Sequence, residues 1–433
     1  MKLRKNILQP LRMEWHGCPS PPLTPLSGDR SVAQLLGYAP LHSLLQRPRG
    51  LMQAYGLDRR GSLLANIFRI ANRTHAIVDR VVIFAPPEIK LAIESVWSTC
   101  CQPFWNELSR GDRGSKPRIT FVGHDLDNDS IQGALHMLGT HRDLHCHDIA
   151  DRWAMVIMEP DQGSLRSDLA FRYFLPALRR QLDNDSARIG ESVVAVTSRN
   201  NRWLDRYKGL GLSQYVDLAD RIGVPDSIST AATLLSAALL GVNVMELLAG
   251  ASAGSQCTEQ SFELSCSPIH LALANGSIHP FWSPHPRILQ LWGSSLRPIG
   301  EWYETIVDAW LPNTFATSRF GCESVEFPSK DTFDPAQSPI PLSRCVRHHI
   351  TTGAWRFDAL ELEPGETLPS KWRSELELGI EQGQQSALAQ TQIDLPIIDE
   401  LHVGQLMQWF QIATAIERWL HDCALAAVES GGN

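Results

Sequence analysis

The densest set of metal-ligating residue types in this chain is His136, His141, His145, Cys146 and His147. Imidazoles and a thiolate can hold zinc, but zinc sites place their ligands at short, regular offsets. This spacing matches no such pattern, so the expectation is a solvated loop rich in histidine, with no metal. A second constellation is Glu159-Pro160-Asp161-Gln162-Gly163-Ser164, between an apolar run and an amphipathic segment. Acidic residues and a serine at such a junction favour capping of the helix that follows, because its first N–H groups lack partners and carry partial positive charge. His348 and His349 have acid/base chemistry available, but their context points to satisfied or solvated side chains. Asp308 reads as part of a solvated helix face.

These residues are carried by a regular alternation of short strands and helices. Val81–Phe84 reads as a buried strand, and about Glu88–Thr99 as the helix after it. Arg118–Val122, Ala154–Met158 and Ser192–Thr197 are further strands, separated by helices over Ser130–Leu138 and Leu165–Leu182. Apolar strands alternating with helices predict a parallel sheet covered on both faces. The pattern returns more weakly with a strand at Arg287–Trp292, a helix at Ile299–Ala309 and a closing helix over about Val403–Val428. Residues 327–341 are rich in Pro and Ser, and Glu361–Ser370 reads as a polar loop. Residues 1–75, Pro-rich and then helical from about Ser62, are expected to wrap the first lobe. The fold class is therefore α/β, with two doubly wound parallel-sheet lobes, an N-terminal helical segment and a C-terminal helix. The expected divisions are 1–75, 76–241 and 242–433.

A chain of 433 residues with 43% hydrophobic content can fill two ordinary cores. A net charge of −8 gives no basic face of the kind that nucleic acid requires. The most apolar stretch, Ala231–Ala251, is interrupted by Ser236, Asn243 and Glu246 and predicts two buried helices instead of a membrane span. Asn243 and Glu246 also have the spacing of a helix cap and its partner. The basic N-terminus lacks the apolar core of a secretory signal. Nine scattered cysteines without a Cys-x-x-Cys pair fit reduced thiols. The expectation is a cytoplasmic protein with no membrane or nucleic-acid partner and no cofactor.

One collinear series of segments is similar to the glucose-6-phosphate isomerase family of SIS-fold sugar isomerases. It comprises Arg80–Gly114, Arg118–Gln132, Arg152–Leu178, Leu234–Gly241, Leu291–Tyr303 and Leu395–Glu417, and spans most of residues 60–420. The resemblance implies two SIS-like domains and a sugar-phosphate site, but the polar positions differ. The family's Gly-Ile-Gly-Gly-Ser loop falls on Ala85, Pro86, Pro87, Glu88 and Ile89. Its Ser-Lys-Ser-Gly-Gly-Thr loop falls on Glu159–Ser164, where only Gly163 and Ser164 keep the binding chemistry. Two like charges about 4 Å apart repel by roughly 4 kcal/mol at an effective dielectric near 20. A single hydroxyl returns about 1 kcal/mol, so Glu159 and Asp161 oppose a phosphate dianion unless they turn away.

The catalytic positions implied by the resemblance are also altered. The arginine of Gly-Gly-Arg-x-Ser is Pro225, with Ser227 retained, and the glutamate base is Ala309. Asp308 is adjacent, but neighbouring helical positions point about 100° apart. The ring-opening histidine maps to about Arg319, and no lysine follows Lys371. Gly163, Ser164 and Ser227 are the candidate remnants of substrate binding. The expected function is a catalytically inactive homologue kept as a binding or assembly module, a homodimer or a heterodimer with an active relative. The alternatives are an active isomerase with relocated groups such as Asp161, Glu159 or His348, and a non-catalytic sensor of a sugar or amino-sugar; the partner expected is a sugar or sugar-phosphate ligand.

Overall fold

The structure is a computed structural model that describes residues 11–16, 34–124, 127–139, 148–160, 163–218, 228–260, 268, 271–272, 287–311, 346–352, 361–363, 366–385 and 389–431. In chain order its strands are β1 (Arg12–His16), β2 (Arg80–Phe84), β3 (Arg118–Val122), β4 (Trp153–Glu159), β5 (Val193–Thr197), β6 (Tyr215–Asp217), β7 (Arg287–Leu291), β8 (Val346–Thr352), β9 (Glu361–Glu363), β10 (Glu366–Thr367) and β11 (Ala389–Leu395). The described residues divide into two compact units. One is Arg49–Met245, and the other joins the residues up to Pro48 with those from Glu246 onward.

The first unit is built on a five-stranded sheet in the order β3-β2-β4-β5-β6. All its pairings are parallel. Every residue of β4 is buried, as expected of a central strand covered by helices on both faces. Val82, Phe84, Met155, Ile157 and Ala195 pack against Phe171, Phe174, Leu178, Trp203 and Tyr207 in its main core. The helix after β4 contains a π turn over Ala170–Phe174, in which the Leu175 N–H bonds to the Ala170 carbonyl. Pro176 explains the irregularity, because its ring cannot approach the carbonyl four residues earlier in a regular helix.

The apolar stretch near the middle of the chain forms two helices, Ala231–Leu240 and Val244–Gln260. All ten residues of the first are buried, and Gly241 ends it at φ +80°, a conformation that glycine adopts without steric cost. Among the described residues, no helix is long and apolar enough to cross a membrane.

The second unit carries a sheet in the order β1-β11-β8-β7. Its β7-β8-β11 part is parallel, while β1 adds an antiparallel edge. Residues 12–16, expected to wrap the first lobe, thus join the second sheet. Glu361–Ser370, expected as a polar loop, contains the β9-β10 hairpin and the start of the helix Leu368–Gln385. The closing helix runs over Glu400–Gly431 and is buried on all sides from His402 to Glu417.

Asp79, at the start of β2, holds the amino-terminal edge of the first sheet. Its buried carboxylate accepts from Arg110 at 3.0 Å, from Arg113 at 2.5 Å and from Arg118. The remaining guanidinium donors reach main-chain carbonyls of His75, Val78, Asn106, Leu108 and Lys116. One carboxylate therefore ties the loop between the helix Pro87–Cys100 and β3 to the base of the sheet.

Candidate functional site

Strand order locates the crevice. After β2 the chain steps outward to β3, then crosses back to place β4 on the other side of β2. In open α/β sheets such a reversal opens a crevice at the carboxyl ends of the two strands. The loops that line it are Ala85–Pro87 after β2 and the turn that ends at Gly163 and Ser164 after β4.

The first loop is poor in donors. Pro86 occupies the cap position and Pro87 the first position of the helix Pro87–Cys100. Proline suits these positions conformationally but carries no N–H. The first helical bond already runs from Lys90 N–H to the Pro86 carbonyl, which leaves the N–H groups of Glu88 and Ile89 as orphans. The Glu88 carboxylate in this first turn offsets the positive end of the helix.

In the second loop the donors of Ser164 and Ser167 are spent internally. Ser164 caps the helix that begins at Leu165, and its hydroxyl donates to the Glu159 carboxylate at 2.5 Å. Its N–H donates to Ser167 Oγ at 3.1 Å. Ser167 returns its N–H to Ser164 Oγ at 3.4 Å and its hydroxyl to the Ser164 carbonyl at 2.8 Å. Glu159 is 1% exposed. Its carbonyl accepts from Thr197 Oγ1 at 2.7 Å and Asn201 Nδ2 at 3.2 Å. Asn201 also bonds Thr197 Oγ1 at 2.9 Å and takes the Trp203 N–H at 2.9 Å. The ends of β4 and β5 and the helix Trp203–Gly209 are thus locked around the turn.

Two further side chains border this turn, and the sequence reading passed over both. Arg166, the second residue of the helix, lies over Gly123 at the end of β3, where an added Cβ would stand 3.4 Å from Arg166 Cγ. Gly163 has φ +115°, and a Cβ there would stand 3.7 Å from Trp203 Cδ1. Trp203 stacks between Phe171, at 5.5 Å, and Tyr207, at 5.7 Å. Arg206 covers Phe171 and pairs with Asp168 at 2.7 Å. A tryptophan two residues after Asn201, just beyond β5, was the available signal.

The other anticipated positions fall on other elements or outside the described residues. Ala309 and Asp308 are exposed on the helix Arg297–Trp310 of the second unit. Partial desolvation on this face raises the exposed Asp308 carboxyl above its usual range; Glu304 is raised by burial and by the charges of Asp308 and Glu301. His349 is a fully buried residue of β8. Its Nδ1 accepts from Trp292 Nε1 at 3.2 Å, which leaves the proton on Nε2 to reach Gln390 Oε1 at 2.9 Å. Asp161, Pro225, Ser227 and Arg319 lie outside the described residues, as do His141, His145, Cys146 and His147, while His136 sits on the helix Asn128–Gly139.

No protein-family model matches the chain, and no curated protein matches its sequence. Solved structures do. A hypothetical protein from Thermus thermophilus superposes with a TM-score of 0.70 at 17% identity, over 95% of this chain and 94% of that one. A glucose-6-phosphate isomerase from Chlamydia trachomatis superposes with a TM-score of 0.58 at 12% identity, over 94% of this chain and 86% of the other. The chain therefore has the fold of a glucose-6-phosphate isomerase along nearly its whole length.

Proposed function

We propose that this protein is a catalytically silent relative of glucose-6-phosphate isomerase, retained as a binding or assembly module. The observation that carries the reading is the commitment of Ser164. A serine hydroxyl has one proton, and here it is given to Glu159 at 2.5 Å. Phosphate binding at a helix start relies on N–H and O–H groups that are free to point at the anion. At this turn the Ser164 and Ser167 donors are bonded within the cap. The opposite loop replaces two donors with prolines. The exposed Ala309 at the position of the family's base adds to the same reading. We also infer cytoplasmic residence and assembly as a homodimer or as a mixed dimer with an active relative.

A coupled assay of fructose 6-phosphate turnover tests the catalytic part. The purified protein is expected to stay at the background rate. Turnover that is abolished by Glu159→Gln or Asp161→Ala would instead favour a relocated active site. Analytical ultracentrifugation tests assembly, with a dimer expected either alone or on mixing with the active relative; a monomer in both samples would refute it.

A further inference from the structure

Two donors that border the turn after β4 have no acceptor among the described residues. Among the described residues, the buried Nε of Arg166 and the buried Nε1 of Trp203 have no hydrogen-bond partner. Arg166 also forms no ion pair there. Trp203 is 3% exposed, and its pyrrole edge faces Gly163, since Cδ1, the atom bonded to Nε1, is the one a Gly163 Cβ would meet. A buried donor left without an acceptor costs on the order of 1–3 kcal/mol, more when it is charged. Both donors border the turn after β4: Trp203, on the helix after β5, lies against Gly163, and Arg166 is three residues along the chain from that glycine.

From these donors we infer that the crevice takes a sugar bearing a single carboxylate, with Arg166 as its anchor and the Trp203 N–H as a second contact. The inference rests on the reading of a silent, phosphate-excluding site. A guanidinium presents a planar fork that binds a carboxylate or a phosphate through two parallel bonds, so the fork alone calls for an anion. A tetrahedral phosphate dianion needs further donors, and those of Ser164 and Ser167 are bonded within the cap. It also brings a second negative charge toward Glu159. The charge of Glu159 and the commitment of the Ser164 and Ser167 donors thus favour a monoanion over the phosphoryl dianion. The aromatic stack of Phe171, Trp203 and Tyr207 keeps the indole in place.

Calorimetric titration with glucuronate, glucose and glucose 6-phosphate tests this, with fructose 6-phosphate turnover measured on the same sample. Glucuronate is expected to bind most tightly. Arg166→Gln should weaken it about tenfold or more, the scale of a lost charged hydrogen bond, and Trp203→Phe, which keeps the stack, by a smaller factor. Thermal melts of the unliganded variants report whether they fold; if Arg166→Gln does not, Trp203→Phe alone decides. Glucuronate binding that is absent, or equal in wild type and the folded variants, overturns the inference while leaving the silent-site reading intact. Turnover of fructose 6-phosphate overturns that reading, and this inference with it.

Discussion

Gly250 lies directly against the main chain of Leu401, so that a Cβ on Gly250 would stand 1.8 Å from the Leu401 carbonyl oxygen. The contact is reciprocal: a Cβ on Gly404 would stand 2.1 Å from the Leu247 carbonyl oxygen. The helices Val244–Gln260 and Glu400–Gly431 therefore meet backbone to backbone. Overpacking a core usually costs about 1–3 kcal/mol, and here the obstacle is main chain, which cannot rotate away. Gly250→Ala and Gly404→Ala are each expected to destabilise at or above that range in urea denaturation. Gly50→Ala, on a helix with open space around it, should be neutral or stabilising by about 0.4–1 kcal/mol.

Asp79 is the only carboxylate in contact with Arg110, Arg113 and Arg118 among the described residues. Asp79→Asn keeps the shape but leaves the fully buried guanidinium of Arg113 without its counter-charge. Breaking a buried pair in this way costs about 3–5 kcal/mol. A midpoint of denaturation unchanged from wild type would show that the knot contributes nothing.

His75 gives the protein an acid-sensitive element. Burial, aided by Lys116 and Arg110 nearby, lowers its pKa from 6.5 to about 4, although its bond to the Leu239 carbonyl acts the other way. The unfolded chain therefore takes up this proton at a higher pH than the folded one. Stability from this group is complete above pH 6.5, declines as pH falls toward 4, and changes no further below that. Denaturation midpoints at pH 7.5 and 5 should differ more for wild type than for His75→Gln, whose amide can still donate to Leu239. Equal differences would remove His75 from the account.

The hydrogen-bonded series Trp292–His349–Gln390 continues to the Ile380 carbonyl, 3.0 Å from Gln390 Nε2. Gln390→Leu strands a buried imidazole N–H and should cost about 1–3 kcal/mol. Hydrogen exchange at the β8 and β11 amides should report the loss; protection unchanged from wild type would contradict it.

The same series shows why parts of the second unit escaped a reading of the sequence. β8 and β11 carry His349, Gln390 and Thr391 in their buried positions, and polar residues at core positions erase the hydropathy signal that marked β2, β4 and β5. The strand β1 is defined by pairing with β11 from the far end of the chain, a contact that local propensity does not register. The polar hairpin β9-β10 was hidden for a related reason, since Glu361–Thr367 contains few apolar residues. At the site, Pro86 and Pro87 announce the missing N–H groups directly. The roles of Arg166 and Trp203 depend on Gly123 and Gly163, which approach them only in the folded chain.

The most direct measurement of the central claim is a calorimetric titration of the wild-type protein with glucose 6-phosphate. With the Ser164 proton held by Glu159 and prolines at the opposite helix start, no heat of binding is expected up to millimolar ligand. Micromolar affinity that disappears in Ser164→Ala would contradict the account.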